Sequence, residues 1–490
     1  MKRLQRLHRN KLQRGKKTDM INQAALYIRR ELMLRLVRAF DAGTLREELD
    51  KIPVRIRPKN EGSSRCCIYH DRAVLKYRLM ALLGYSIEDE DDESKTLAAY
   101  LDELVEKVAA GEDPYDGLPH KAIPLSVCDP ACSGCPDAKV VSTNNCRGCF
   151  ARPCMYNCPK KAISIVAGRS IIDQSLCIKC GKCVAACPYN AIVKTTVPCE
   201  DACPVGAIKK NERGVAQIDF SRCIFCGKCF NQCPFGAVME RSQLMQILIS
   251  MKRGEKLVAM VAPAAANEFP GKIEQLLTAC KKAGFYDVME VAIGAEMTTE
   301  HETAEFIERF EKDPSTFMTT SCCPAWVNLV AKHVPDIKGN VSNTPSPMVF
   351  SRWIAKAKEP EAKTVFIGPC IAKRYEARRT DVDFVLSFEE LAAIFAARDI
   401  DVAACEPYPV ERPADQTARN YCRSCGVTEA VLAEALSHIP GFKLDAKQVN
   451  GIDRKTATMA RLYATGKLKA NFLEVMACPG GCEHGPCSMK

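Results

Sequence analysis

Two stretches, CIKCGKCVAACP at residues 177–188 and CIFCGKCFNQCP at residues 223–234, decide how the chain is read. Each runs Cys-x2-Cys-x2-Cys-x3-Cys-Pro. The first sets Cys177, Cys180, Cys183 and Cys187 ahead of Pro188, and the second Cys223, Cys226, Cys229 and Cys233 ahead of Pro234. This is the bacterial spacing for a [4Fe–4S] cube. Three thiolates on one tight loop reach three corners, and the fourth lies past the loop, free to serve a neighbouring cube. Zinc also takes four cysteines, but eight in two such runs favour cubes.

A looser run precedes these two: Cys146, Cys149, Cys154 and Cys158 with Pro159, beginning 31 residues before Cys177. That is the distance expected of a partner in a two-cluster fold. A half-motif, Cys199 and Cys203 with Pro204, stands ahead of the 223 run and is able to complete it. Cys128, Cys132 and Cys135 are three further possible ligands. Seventeen cysteines between 121 and 245 suffice for four cubes with one left over. The spacing therefore predicts two to four accessory [4Fe–4S] clusters and leaves their ligand pairing open.

The rest of the composition agrees. The chain has 490 residues, 29 of them cysteine, and 47% hydrophobic residues. Disulfide scaffolds are small secreted domains; clustered cysteines in a long chain read as metal ligands. No run of about 18 apolar residues suggests a membrane span, and no apolar segment follows the basic start as a secretory signal requires. A cytoplasmic location is expected. Of the formal net charge of +10, residues 1–17 supply eight Lys or Arg. Such a tail is ordinarily a solvated terminus rather than a nucleic-acid arm.

Three regions emerge. Residues 1–120 read as a mostly helical module without an assigned role, with helical patterns over 20–42 (Leu32, Leu36 and Phe40 on one face) and 95–110 and an acidic stretch at 88–94. Residues 121–245 form a ferredoxin-like α+β iron–sulfur relay. Residues 246–490 alternate apolar strands with helices: 257–265, 286–294, 316–323, 364–370 and 471–478 are the predicted strands. The fold class is thus an α/β domain with partly parallel sheets, preceded by the relay and the helical module.

Three cysteine motifs fall at the C-terminal ends of predicted strands: TSCCPAW (320–326), GPCIAKRYE (368–376) and EVMACPGGC (474–482). That edge of an open α/β sheet is where ligands bind. These segments resemble, in order, the three signature motifs of the [FeFe]-hydrogenases. The relay resembles that family's electron-transfer domain, and only the first 120 or so residues fall outside the likeness. TSCCPAW is similar to the branch called group B.

The resemblance implies an H-cluster: a [4Fe–4S] cube joined through one cysteine to a two-iron subsite bearing CO, cyanide and an azadithiolate bridge. The implied cube ligands are Cys323, Cys370, Cys478 and Cys482, with Cys482 shared with the two-iron unit. Lys373 matches the lysine that bonds a cyanide, and Met476 the methionine beside the subsite. Cys322 matches the residue that passes protons to the cofactor amine. Adjacent strand residues face opposite ways, so Cys322 is expected to turn away from a Cys323 that faces the cube, with its thiol brought near neutral pKa. Glu302 and Glu305 share a helix face at i, i+3. With Ser342 they match a proton path running Cys322, Glu302, Ser342, Glu305, solvent. Glu376 is expected to play a structural part.

The implied activity is reversible, 2 H+ + 2 e− giving H2, with ferredoxin as electron partner and dedicated maturation proteins building the subsite. Three other readings stand beside it: an H2 sensor, an iron–sulfur assembly homologue without the two-iron unit, and a plain electron-transfer subunit, which leaves the C-terminal motifs unexplained. Ala325, Gly368, Ala264 and the EHGPCS ending depart from the better-studied branch around the cluster, not in its ligands. Cys422 and Cys425, a CxxC, and Cys487 are either redox-active thiols or inert. His301 and His484 are not expected to be ligands.

Overall fold

The computed structural model describes residues 23–60, 66–90, 92–118, 123–132, 135, 137–313, 317–442 and 444–489. The basic residues 1–17 and the start of the predicted 20–42 helix lie outside them.

The N-terminal region is helical, as its periodicity predicts. Helix α1 (Gln23–Asp41) buries Leu32, Met33, Leu36 and Val37 completely, the i, i+1, i+4, i+5 stripe of a core-facing helix. Helix α2 spans Ile68–Leu82, and the Cys67 thiol caps it by accepting the His70 N–H at 3.4 Å. Helix α3 (Leu97–Ala110) is capped by Thr96 and ends on Gly111 at φ 75°, where a left-handed residue closes the last turn. The acidic stretch is partly structural: Asp89 pairs with Arg241 at 3.0 Å and Glu90 with Lys76 at 2.9 Å.

The relay is made of short antiparallel pairs. Strands β1 (Leu125–Val127), β2 (Lys139–Ser142), β3 (Ile163–Val166), β4 (Arg169–Ile172), β5 (Ile192–Thr195), β6 (Ile208–Lys210), β7 (Ala216–Ile218) and β8 (Val238–Glu240) pair as β1–β8, β2–β5, β3–β4 and β6–β7. Short cysteine-bearing helical turns at 153–156, 182–186, 198–202 and 228–232 connect them.

The C-terminal region follows with α4 (Leu244–Lys252), β9 (Leu257–Val261), α5 (Ile273–Lys282), β10 (Asp287–Glu290) and α6 (Val291–Lys312). Next come β11 (Met318–Thr319), α7 (Pro324–His333), α8 (Pro347–Lys358), β12 (Lys363–Ile367), α9 (Ile371–Ala377), β13 (Phe384–Leu386) and α10 (Phe388–Ala397). The chain closes with α11 (Gly426–His438), β14 (Ala446–Asn450), α12 (Thr456–Ala464) and β15 (Phe472–Met476). Two parallel sheets result, β10-β9-β12-β13 and β11-β15-β14. All five residues of β9 are buried, as parallel strands covered on both faces require.

Three differences from the sequence reading have local causes. Residues 291–294, read as the end of a strand, begin α6. β13 is only three residues long, and β14 (AKQVN) is a mostly exposed edge strand without an apolar pattern. Both sheets are wholly parallel.

One core runs from α1, α2 and α3 into α4, β9 and β12. Buried charges tie the same regions together: Arg29 and Arg30 of α1 meet Glu389 of α10, and Arg374 of α9 lies between Glu240 of β8 and Glu390. Buried ions hold only when paired, so this network fixes how the helical region seats against the C-terminal sheets.

Candidate metal centre

Parallel strands end on one edge, and three of those ends carry cysteines. β11 stops at Thr319, and Cys323 is the N-cap of α7. β12 stops at Ile367, and Cys370 is the N-cap of α9. β15 stops at Met476, ahead of Cys478 and Cys482. The strongest charges that act on Cys478 are those of Cys370, Cys482 and Cys323, and on Cys482 those of Cys370 and Cys323. The four thiols therefore face one another. Burial pushes all four up, Cys370 to about 11 and the others in the same direction.

Four buried thiols with one nearby ammonium, that of Lys373, are a costly place for four anions and suit a group that itself supplies positive charge. Among the described residues, no three His, Cys, Asp or Glu side chains converge as ligands of one ion do. A cube takes one thiolate at each of four separated corners, whereas zinc gathers its ligands tetrahedrally at one point. The donor set fits the cube.

Cys322 and Cys323 do diverge, but not by strand alternation. The strand ends three residues earlier, and the two sit in the bend leading into α7. Cys323 packs against the core that contains Trp326, Ile371 and Ala372, whereas Cys322 packs against a different one, which contains Met318, Phe472 and Met476. Burial, followed by the charges of Glu302 and Cys323, pushes the Cys322 thiol well up rather than towards neutrality. Cys322 thus holds its proton as a neutral thiol.

Behind Cys322 stands Glu302 on α6, with no solvent exposure. Its Oε1 accepts the Ser321 N–H at 3.3 Å, while Oε2 has no hydrogen-bond partner among the described residues. Burial lifts this carboxyl to about 8, against the opposing pull of Ser321 and Ser342. Ser342 donates to Glu305 Oε2 at 2.7 Å. Glu305 also accepts the Asn343 N–H at 3.0 Å and Arg309 at 2.6 Å. Although burial opposes it, Ser342, Asn343 and Arg309 hold Glu305 below the usual carboxylate range. Two carboxyls one helical turn apart are thus driven in opposite directions, protonated inside and ionised outside, an arrangement suited to handing protons along.

Lys373 is buried with its Nζ donating to Ser346 Oγ at 2.8 Å and paired with Glu376 at 2.7 Å. Burial pulls its pKa down, but Glu376 outweighs that and holds the ammonium above its ordinary value. Met476, 3% exposed, lies in one core with Met318 and Phe472, against which Cys322 and Cys482 pack. Gly368 has a packing reason: a Cβ there would meet the Phe366 ring at 2.6 Å and Ala262 at 3.3 Å. Phe366 occupies the space a larger residue needs.

Sequence reading missed Glu474, on β15 and 1% exposed. It accepts the backbone N–H of Cys425 at 2.7 Å and of Thr428 at 2.8 Å, so it caps α11. Its charge also acts on Cys322 and Glu302. The signal was a lone acid inside the apolar run FLEVM. Ser346, the partner of Lys373, carried no signal at all.

The other singled-out residues fall elsewhere. Cys422 is pushed up to about 12 by burial and by Glu483, 3.6 Å from its thiol, and Cys425 is the left-handed N-cap of α11. Cys487 donates to Glu240 inside the buried charge network at 3.2 Å. His301 stacks on Phe350, and His484 lies against Gly480.

The relay meets the centre closely. Cys226 is among the charges acting on Cys478. Phe225 stacks on Tyr375 at 4.2 Å, and Lys332 donates to the Cys223 carbonyl at 2.6 Å. Gly227, at φ 73°, lets the 223 loop pass so near that a Cβ would lie 2.6 Å from Pro486.

A cysteine-lined relay abutting a buried four-thiol centre with a proton-bearing side marks an iron–sulfur redox protein. Comparison with known proteins narrows that class. Residues 255–486 match the C-terminal domain of the iron only hydrogenase large subunit, residues 170–193 a 4Fe-4S binding domain and residues 194–237 a 4Fe-4S dicluster domain. The periplasmic [Fe] hydrogenase large subunit of Nitratidesulfovibrio vulgaris is 30% identical over 301 residues, 50% of this chain and 72% of that one. Iron hydrogenase 1 of Clostridium pasteurianum is 28% identical over 397 residues, 67% of this chain and 66% of that one. Cytosolic iron-sulfur assembly component 3 of Bos taurus is 23% identical over 265 residues, 43% of this chain and 56% of that one. The chain belongs to the iron-only ([FeFe]) hydrogenase large-subunit family, with 4Fe-4S domains ahead of its C-terminal domain. No helix among the described residues is long and apolar enough to cross a membrane.

Proposed function

We propose that the chain is a hydrogenase catalysing 2 H+ + 2 e− = H2 at an H-cluster, resembling the group B branch, with electrons exchanged through [4Fe–4S] cubes. The observation that carries this reading is the pairing of the four-thiol set with a proton-bearing side: Cys322, Glu302, Ser342 and Glu305 in line behind it. An assembly homologue holding only a cube has no use for that line. When bound, the cluster's two-iron unit supplies the metal site at which protons and electrons combine.

The chain's residues do the rest. Cys323, Cys370, Cys478 and Cys482 would hold the cube, with Cys482 the thiolate that would also tie the two-iron unit to it. Lys373, kept charged by Glu376, would supply an ammonium to hydrogen-bond an anionic ligand of the cofactor. Met476 and Phe472 exclude water there. Cys322 holds a proton at its sulfur and regains it from Glu302. Ser342, bonded to Glu305 and acting on Glu302, connects the inner carboxyl to the outer one. Water bridges what side chains do not span.

The electron partner we infer is an acidic one-electron carrier, a ferredoxin in chemistry. Residues 136–198 of the relay carry nine Lys or Arg against two Asp, and expose Phe150, Tyr156, Ile178 and Tyr189. Such a surface attracts an acidic protein and buries apolar area on contact. Dedicated maturation proteins would install the two-iron unit, in a reducing compartment, read as the cytoplasm.

The test is anaerobic preparation, addition of a two-iron precursor and infrared spectroscopy. Sharp bands from iron-bound CO and cyanide, followed by H2 turnover, are expected. Intact cubes without those bands would instead favour the assembly reading, for which the 23%-identical assembly component is the motivating relative. Bands with turnover far below ordinary hydrogenases would favour a sensor.

A further inference from the structure

We infer that the relay is two dicluster bodies, one inserted inside the other, and that it holds four [4Fe–4S] cubes. Their ligand sets are Cys146, Cys149, Cys154 with Cys187; Cys177, Cys180, Cys183 with Cys158; Cys132, Cys135, Cys199 with Cys233; and Cys223, Cys226, Cys229 with Cys203. Cys128 ligates nothing.

The strand pairing shows the insertion. The outer body opens and closes with β1–β8 and contains the β6–β7 hairpin; the inner opens and closes with β2–β5 and contains β3–β4. The topology is the same twice. The inner body has a core of its own, Val140, Cys154, Ile163, Ile172, Cys183 and Ile192. The cysteine spacing follows suit. Cys132-x2-Cys135 and Cys199-x3-Cys203-Pro204 are the two halves of one ferredoxin run, parted by residues 136–198.

Hydrogen bonds to sulfur repeat in register across both bodies. The last cysteine of each run accepts the N–H of an alanine four residues on: Cys158 from Ala162 at 3.3 Å, Cys187 from Ala191 at 3.4 Å, Cys203 from Ala207 at 3.2 Å and Cys233 from Ala237 at 3.3 Å. Cys177 and Cys223 each accept from the residue two on, both at 3.4 Å. The first cysteine of each body is served by the second strand of its hairpin: Cys146 by Ser170 of β4, and Cys132 by Ala216 of β7 at 3.1 Å. Cys132, not Cys128, therefore holds the position equivalent to Cys146.

Proximity gives the exchange of fourth ligands. One small cavity is lined by Cys158, Cys177, Cys180 and Cys183 and not by Cys187, so the last cysteine of the first run serves the second run and Cys187 is left to Cys146, Cys149 and Cys154. The outer body repeats the same strand topology and the same N–H-to-sulfur register, so Cys203 stands where Cys158 does and Cys233 where Cys187 does. The half-motif is thus split: Cys203 completes the 223 run, but Cys199 belongs to the other cube.

The order of the wire follows. Both ends of the insert are anchored beside Cys135 and Cys199, ligands of one cube, so that cube receives electrons from the inner body. It shares the outer body with the Cys223 cube, whose loop lies at Gly227 against Pro486 and against Ile371, the neighbour of Cys370 in the centre. Electrons enter at the exposed inner body and pass two outer cubes before the centre.

The experiment uses the full chain, prepared anaerobically without the two-iron unit, so it stands apart from hydrogenase activity. Iron and sulfide are counted chemically and the cubes by Mössbauer spectroscopy. The expected content is about 20 irons, four from each of five cubes. Cys128→Ala should keep all of it, and Cys132→Ala should damage one cube; the reverse result overturns the outer assignment. Double variants test the pairing. Cys154→Ala with Cys187→Ala should damage one cube, whereas Cys183→Ala with Cys187→Ala should damage two. Likewise Cys135→Ala with Cys233→Ala should damage one, and Cys199→Ala with Cys203→Ala two. One damaged cube for Cys183 with Cys187, or wild-type iron near 12 atoms, defeats the inference. Should an outer double variant fail to fold, the inner pair still decides the exchange and the Cys128 variant the count.

Discussion

The relay and the C-terminal centre both gather cysteines, and they do so in opposite ways. In the CxxCxxC runs of the relay, three cysteines come from one short loop, sulfurs such as those of Cys177 and Cys187 take backbone N–H groups a few residues away, and some remain exposed: Cys180 is open to solvent. In the centre, Cys323, Cys370 and the Cys478–Cys482 pair come from three strand ends in two sheets, and burial pushes every thiol up. A relay site is local chemistry on a solvated loop, tuned by hydrogen bonds to sulfur. A centre site is tertiary, and its dryness is what lets one proton line and one lysine control its charge.

The largest expected effect tests that difference directly. Cys482→Ala should abolish retention of the two-iron unit, and with it turnover, while leaving the relay cubes at wild-type iron content. Retention of the infrared bands would refute the bridging role. Next, Cys322→Ala should leave the cluster bands in place and cut turnover by about 10²- to 10⁴-fold, the usual worth of a positioned proton-transfer group. Unchanged turnover would remove Cys322 from the path.

Glu302→Gln should act in the same direction, and pH sharpens the case. The Glu302 carboxyl sits at about 8 in the fold because of its burial, against about 4.3 in an unfolded chain. Its contribution to stability is therefore fully present below about 4.3 and is lost as pH rises through about 8. H2 production is expected to fall across the same upper limb, and Glu302→Gln should erase that limb. A limb that persists belongs to another group.

On the relay side, Cys180→Ala should disturb one cube and slow turnover with a protein carrier, yet leave the infrared bands and dye-driven turnover near wild type. Equal loss with both donors would mean that the loops are not independent of the centre. The smallest effect is expected from Gly368→Met, which meets Phe366 and Ala262. Overpacking of this kind costs about 1–3 kcal/mol, read as a lowered thermal midpoint with the cluster bands retained.

The cysteine runs and the three strand-end motifs were legible because their spacing is local: a loop of CxxCxxC has few ways to reach a cube. The helix face joining Glu302 and Glu305 was legible for the same reason, at i, i+3. Where the reading slipped, the cause was short range or packing. Val291 starts a helix that apolar residues alone do not distinguish from a strand. β14 is an exposed edge with no alternation. Cys322 and Cys323 diverge because a bend, not a pleat, separates them.

Residue order alone was enough to say that this chain carries [4Fe–4S] runs and that an α/β domain with at least partly parallel sheets follows them; the residues proposed for the centre came from a family resemblance. Three-dimensional packing was needed to part Cys199 from Cys203, to lift Glu302 while lowering Glu305, and to join the N-terminal helices to the C-terminal sheets in one core. Spacing along the chain constrains what a loop can reach, but pairing across 63 intervening residues, and the charge state of a buried carboxyl, depend on what packs beside each group.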